Sequence, residues 1–196
     1  MNAMTNRSVA LESLNGENIL SNIYVGMCRE GHYPNAIKVD VPFDGIDGFL
    51  FVAVDFGGDD EYGNLIIESS LLNEFNVKVE DAIEAAIRNS KEDAVVKNMA
   101  DMFSEMFGFE VEKSPLWVVT NSSKVRGAGA ILNTDRIREV TGFDKFVAIP
   151  SSIHEWLILD ESLGCSDDEL ASMIGGVNSA EVSDNEQLGD KPYHIG

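Results

Sequence analysis

Residues 49–67 read Phe49-Leu-Phe-Val-Ala-Val-Asp-Phe-Gly-Gly-Asp-Asp-Glu-Tyr-Gly-Asn-Leu-Ile-Ile67. The first eight form a β-prone run too continuously apolar for an edge strand with one wet face. Gly57 to Gly63 is turn chemistry and Asn64 to Ile67 resumes a strand, so the stretch predicts a β-hairpin. The same grammar recurs downstream. Leu116–Thr120 and Ala128–Leu132 read as two short strands joined by the polar loop Asn121–Arg126. Lys145–Ile149 and Glu155–Leu159 read as two more around Pro150-Ser-Ser-Ile-His154. Strands and helices mix without strict βαβ alternation, which favours an α+β fold: a mixed, largely antiparallel sheet with helices packed on it.

Helical periodicity fills the gaps. Ile19, Leu20, Ile23, Tyr24 and Met27 stand at helical spacing, as do Leu71, Leu72 and Phe75, and then Ala82, Ile83, Ala86 and Ile87. The clearest helix is expected from about Lys91 to Phe107. Ser90 reads as its N-cap, with Asp93 in its first turn and Gly108 as its stop. Val95, Val96, Met99, Met102, Phe103 and Met106 form its apolar stripe, read as a core face in preference to a partner groove. Asn133 caps a short helix over 135–141 that Gly142 closes. Ser166-Asp-Asp-Glu169 is a capping box for a helix through Leu170, Met173, Ile174 and Val177.

With 34 Asp and Glu against 14 Lys and Arg, the 196-residue chain carries a net charge of −20. The charge is concentrated in two places. Residues 39–77 hold nine acids and no base, and residues 155–196 hold ten acids and one base. Such a field repels nucleic-acid phosphates and anionic lipid, so direct binding to nucleic acid or membrane is disfavoured, whereas a basic protein surface is attracted. No apolar run reaches the ~20 residues that span a bilayer, and no secretory signal opens the chain, so a cytoplasmic protein is expected. Cys28 and Cys165, the only cysteines, build neither a disulfide scaffold nor a four-cysteine zinc site and read as buried and inert.

The chemistry-bearing clusters are few. Gly57-Gly-Asp-Asp-Glu61 resembles the acidic hairpin of nucleotide cyclases, yet no other cyclase feature accompanies it, and a solvated turn is the simpler reading. Asp40, Asp44, Asp47, Asp55, Asp59 and Asp60 lack calcium-loop spacing, so no metal site and no cofactor is called for. Lys124, Arg126, Arg136 and Arg138 form a basic group expected to pair with the acidic tail. Ser151, Ser152, His154 and Glu155 are the most suggestive set, because a hydroxyl pair, an imidazole and a carboxylate meet at a strand junction. With Asn121 they are the candidate site, His154 serving as general base if the site is catalytic. The structural alternative is a turn whose hydroxyls satisfy backbone groups.

From Leu116 onward the chain resembles a family of bacterial proteins known only as a domain of unknown function and often found among mobile-element genes. The matching residues are Val119-Thr-Asn121, Gly127-Ala-Gly-Ala-Ile-Leu132 and Ala148-Ile-Pro-Ser-Ser-Ile-His-Glu155, then Val177-Asn178, Val182, Leu188, Asp190 and Tyr193. Gly189 and Pro192 depart from the family pattern. The resemblance covers the last 80 or so residues well, is weaker over 49–90, and implies a shared fold with a site around Asn121 and His154 but no reaction.

The expected organisation is a flexible N-terminus over 1–15 with an expression-tag scar at 1–3 as one reading, a single α+β domain over 16–178, and an acidic C-terminal arm over 179–196. The expected function is a binding module that docks a basic protein partner. The alternative is a hydrolase or transferase using Asn121, Ser151, Ser152, His154 and Glu155.

Overall fold

A computed structural model describes residues 16–55 and 62–196. The expectations for residues 1–15 and for the turn at Gly57–Glu61 lie outside the described residues. The fold is α+β, built on two antiparallel sheets where one was expected. The first comprises β1 (Ile23–Arg29), β2 (Lys38–Val39), β3 (Ile46–Asp55) and β4 (Tyr62–Ile66). Here β3 pairs with β1 along one edge, while β2 and β4 lie end to end along the other, with Lys38 opposite Phe49 and Phe51 opposite Ile66. A strand paired on both edges and covered on both faces needs an unbroken apolar run, which is what Phe49–Val52 provides.

Three helices cover one face of this sheet: α1 (Gly16–Ser21), α2 (Ser69–Glu74) and α3 (Val79–Glu92). Ile23, Val25, Leu50 and Val52 pack there with Leu72, Ala82 and Ala86. Tyr24, Cys28, Phe49 and Phe51 point the other way. The helix expected through Met27 therefore ends at Ser21. Ile23, Val25 and Met27 alternate with Tyr24, Gly26 and Cys28 at the strand period of two, and Ile23 and Val25 are β-branched, which favours the strand.

The second sheet runs β5 (Ala94–Asn98), β6 (Trp117–Asn121), β8 (Glu155–Asp160), β7 (Phe146–Ser152) and β9 (Tyr193–Ile195) from edge to edge. The single helix expected over 91–107 is corrected by this arrangement: α3 ends at Glu92, β5 follows, and α4 spans Met99–Phe107. Val95-Val96 favours strand. Asn98 supplies a cap the periodicity concealed, its Oδ1 accepting the Ala100 N–H at 3.1 Å, and Gly108 ends α4 in the left-handed conformation as expected. Ser90, expected as an N-cap, is buried inside α3. Its Oγ accepts the Val25 N–H at 2.9 Å and ties that helix to β1.

Ala128–Leu132 is not a strand. Gly127–Leu132 forms a buried 3-10 helix wedged between the sheets. A β-carbon at Gly129 would strike the Val25 carbonyl oxygen, and one at Gly127 would strike the Thr120 side chain. Trp156 Nε1 donates to Ala128 O at 3.0 Å, and Ala128 N donates to Ile153 O at 3.2 Å. Met27, Phe43 and Ile46 of the first unit meet Ile131, Phe146 and Trp156 around this wedge. The helix α5 (Thr134–Thr141) carries the expected Asn133 cap and Gly142 stop, and α6 (Asp167–Glu181) carries the expected capping box.

The C-terminal arm is docked. Arg29 donates to Gln187 at 3.1 Å and to Asp190 at 2.5 Å, and Lys191 meets Asp44 at 2.5 Å. In β9, His194 lies between Asp167 (2.9 Å) and Glu161 (2.7 Å). These carboxylates raise its pKa above the ordinary 6.5, Asp167 having the larger effect.

Two predictions follow from this packing. Gly129→Ala should cost about 1–3 kcal/mol in urea unfolding, because the obstructing atom is backbone. Gly175→Ala, which meets nothing within 4 Å on α6, should stabilise by about 0.5–1 kcal/mol. Equal midpoints for the two variants would contradict the wedge. A raised histidine pKa stabilises the fold in full below the unfolded value, and that contribution fades as pH rises through the folded value. His194→Gln should therefore lower the urea midpoint more at about pH 6 than at about pH 9, and the reverse order would overturn the clasp.

Candidate functional site

Ser151, Ser152, His154 and Glu155 form the β7–β8 hairpin, in which Ser152 sits opposite Glu155 and the register shifts after Pro150. The strand pleat separates neighbouring side chains, and the hydrogen bonds show where each goes. Ser152 Oγ accepts the His154 N–H at 3.1 Å, and Ser151 Oγ reaches Glu155 Oε1 at 3.4 Å. His154 O accepts from the buried Thr120 hydroxyl at 2.8 Å. The imidazole Nδ1 accepts the Arg126 backbone N–H at 3.1 Å. That bond places the ring proton on Nε2, which faces Glu186 Oε1 at 3.5 Å. The lone pair a general base would use is thus held by a backbone donor.

Asn121 closes its own loop, donating to Val125 O at 2.9 Å and accepting the Val125 N–H at 3.2 Å. It is joined to the His154 turn through Arg126, not by direct side-chain contact. Asn121 and Ser151 line different cavities: Asn121 one of about 10 Å³ with Tyr24 and Arg126, Ser151 one of about 20 Å³ with Ile149 and Asn178. Each has room for about one water molecule.

Two partners of His154 escaped the motif reading. Glu186 lies 32 positions downstream on the docked arm. Its carboxyl is held below the ordinary range first by the Ser183 hydroxyl and then by His154. The Glu186 carbonyl also accepts the Ile153 N–H at 2.9 Å. Arg126 adopts φ +50°, stacks 5.7 Å from the Tyr33 and Phe49 ring centres, and donates to Tyr33 Oη at 3.1 Å. No local sequence pattern signals either contact, because both depend on how the arm and the first sheet meet the hairpin.

The expected pairing of the basic group with the acidic tail is corrected in part. Arg136 binds Glu139 at 2.8 Å and Arg138 reaches Asp135 at 3.9 Å, both within α5. Of the basic group, Arg126 acts on Glu186 of the arm and helps to hold its carboxyl below the ordinary range. Asp44 and Asp47 are held by Lys191 and Lys38. Among the described residues no group of three or more His, Cys, Asp or Glu side chains is arranged to hold a metal ion, and no helix is long and apolar enough to cross a membrane. Cys28 is buried, which pushes its thiol pKa up to about 11 and leaves it protonated and unreactive; Cys165 is exposed, contrary to expectation.

The wedge, the hairpin and the docked arm lie within one contiguous stretch that a family model recognises, residues 50–195. The chain belongs to DUF5688, a family of unknown function. No curated protein and no solved structure matches it. The DUF5688 match starts inside β3 and ends at the last residue of β9, so the arm is as much part of the family domain as the hairpin.

His154→Ala removes the acceptor of a partly buried backbone N–H and should lower stability by about 1–3 kcal/mol, read as a shift in melting temperature. Glu186→Gln keeps an acceptor facing Nε2 and should cost under about 1 kcal/mol. A melting temperature unmoved by His154→Ala would show that the imidazole does not hold the turn.

Proposed function

We propose that this DUF5688 domain is a binding module whose acidic surface docks a basic protein partner. The observation that carries the reading is a division of labour among polar groups. The Pro-Ser-Ser-Ile-His-Glu turn directs its hydrogen-bonding capacity inward, to Arg126, Thr120 and the arm. The excess carboxylates are on the outside: Asp40, Glu68 and Glu74 on the first half, Asp168, Glu181 and Asp184 on α6 and the arm, all exposed. A field of this sign steers a cationic surface and repels nucleic acid and anionic lipid. A nucleic-acid-processing or defence enzyme, with its phosphate-binding groove, offers such a surface, and a bacterial, cytoplasmic, mobile-element setting would suit that pairing.

The hydrolase or transferase alternative centred on Asn121, Ser151, Ser152, His154 and Glu155 draws no comparable support. It needs a base with a free lone pair beside a chamber that admits substrate. The bond from Arg126 N to His154 Nδ1 and the water-sized cavities weigh against that assignment.

Affinity capture from host lysate at about 50 mM and about 500 mM salt tests the binding reading. A stoichiometric basic protein is expected at low salt and lost at high salt. Reversing Asp168, Glu181 and Asp184 together to Lys should reduce its recovery about tenfold. Capture unchanged by that reversal would contradict an acidic docking surface.

A further inference from the structure

The stripe expected as a core face on α4 leaves Phe103, Met106 and Phe107 exposed, and the groove beside it is lined by Lys97, Lys124 and Glu105, a mixture that selects no occupant. The buried stripe of α6 carries a sharper signal. Its buried residues are Leu170, Ile174 and Asn178, at the i, i+4, i+8 spacing of a helix face turned to a sheet. An amide therefore stands where the pattern calls for an apolar side chain. Asn178 is only 6% exposed. Half of its amide is used: Nδ2 donates to Gly189 O at 3.1 Å and to Asp190 Oδ1 at 3.4 Å, which fastens the arm. The other half, Oδ1, is buried without a hydrogen-bond partner among the described residues. An acceptor taken from water and given no donor costs stability, so it calls for a donor from outside the chain.

Asn178 lines a slot of about 20 Å³ between α6 and the β7–β8 hairpin. Along β7, Val147 and Ile149 pack towards α6 at the strand period of two, and Ser151 follows them into the slot. Six of the eight lining side chains are apolar: Ile149, Pro150, Leu157, Met173, Ile174 and Val177. Met173 and Val177, 40% and 41% exposed, carry the apolar wall out to the surface. The polar side chains are Asn178 and Ser151, whose hydroxyl donates to Glu155 Oε1 at 3.4 Å. Residues 146–190 provide every side chain of the slot and hold ten acids and no Lys or Arg. Two bases of neighbouring segments are already paired, Arg29 with Asp190 and Lys191 with Asp44. The slot thus offers oxygen acceptors in a negative field, beside an apolar wall, with room for about one water-sized group.

These features define the occupant: a positively charged donor no larger than a water molecule, carried on an apolar stem. We propose that the slot receives the ε-ammonium of a lysine from the basic protein partner. The ammonium donates to Asn178 Oδ1 and Ser151 Oγ, the Glu155 carboxylate supplies the countercharge, and the methylene stem lies along Met173 and Val177. Ammonium is a compact charge with three donors, whereas guanidinium is a planar fork that needs more room. Lysine is therefore preferred to arginine. Ser151 and Glu155 then serve recognition, not catalysis. This inference rests on the binding-module reading and adds to it an anchor point.

The test titrates the full chain, 15N-labelled and carrying 13C-labelled methionine methyls, with the capped pentapeptide Ala-Gly-Lys-Gly-Ala at about 20 mM salt. Arginine or acetyl-lysine replaces the lysine in two control peptides, and n-butylammonium presents the side chain without a backbone. The lysine peptide should shift the Met173 methyl and the Asn178 side-chain amide saturably, and bind at least about fivefold tighter than either control peptide. Ser151→Ala and Glu155→Gln should each weaken it about threefold. Asn178→Leu should abolish binding; because that change also removes the bond to Gly189, the two hairpin variants decide the matter if the arm comes loose. Unmoved signals would mean that the slot holds water alone and would overturn the proposal, as would equal binding of the arginine peptide or affinity unchanged in both hairpin variants. Binding of n-butylammonium without binding of the peptide would overturn the partner lysine in favour of a free amine. If the peptide fails while a basic protein is still captured at low salt and lost on reversing Asp168, Glu181 and Asp184, the module reading stands and the slot is wrong. If no protein is captured at any salt, the module reading falls and the partner lysine with it.

Discussion

The fold depends on the close approach of one backbone to another at Gly129. The 3-10 segment Gly127–Leu132 has to lie against the Val25 carbonyl on one side and the Thr120 and His154 backbone region on the other, and glycine alone permits both contacts. Around that contact the remaining bonds are arranged to leave few buried polar groups unmet. Val25 N–H is directed to Ser90, Ala128 O to Trp156, and Ala128 N–H to Ile153 O. Val25 belongs to the first sheet, Ser90 to α3, Ala128 to the wedge itself, and Ile153 and Trp156 to the β7–β8 hairpin of the second sheet. The wedge is therefore what makes two sheets, each too small to bury both of its faces, into one core.

The same constraint accounts for the polar motif. Arg126 precedes the wedge in a left-handed conformation, and its N–H needs an acceptor where the chain turns inward. His154 provides it, and Glu186 on the docked arm then faces the other ring nitrogen. A histidine and a pair of serines at a strand junction are what a catalytic site would show, but they are equally what a tight hairpin needs when three other segments converge on it. Acids outnumber bases most strongly in residues 39–77 and 155–196, and α4 leaves Phe103, Met106 and Phe107 exposed.

How much of this could be read from residues alone follows from the range of the forces involved. Elements with local signals were legible. The β3–β4 strands follow from composition, α5 from Asn133 and Gly142, α6 from Ser166 and Glu169, and the β7–β8 hairpin from two apolar runs around a polar turn. Where two periods coexist, the pattern alone does not decide between helix and strand. Ile23–Met27 satisfies both the helical and the strand pattern, and Val95–Met106 looks like one stripe until Asn98 is seen to cap a new helix. The wedge was invisible because Ala128–Leu132 is apolar without β-branching before Ile131, and only its burial between sheets decides its shape. At the candidate site the hairpin residues carry a local signal, whereas their partners Arg126 and Glu186 lie 28 and 32 positions from His154 and carry none. Those contacts depend on tertiary convergence.

Native-state hydrogen exchange resolved by residue tests the wedge most directly. If Gly127–Leu132 joins the two sheets into one cooperative unit, the amides of Val25, Leu50, Ala128 and Ile158 open with a common free energy, and Gly129→Ala lowers all four by the same amount. If the substitution lowers protection in one sheet and leaves the other untouched, the sheets are independent units and the account of the fold is wrong.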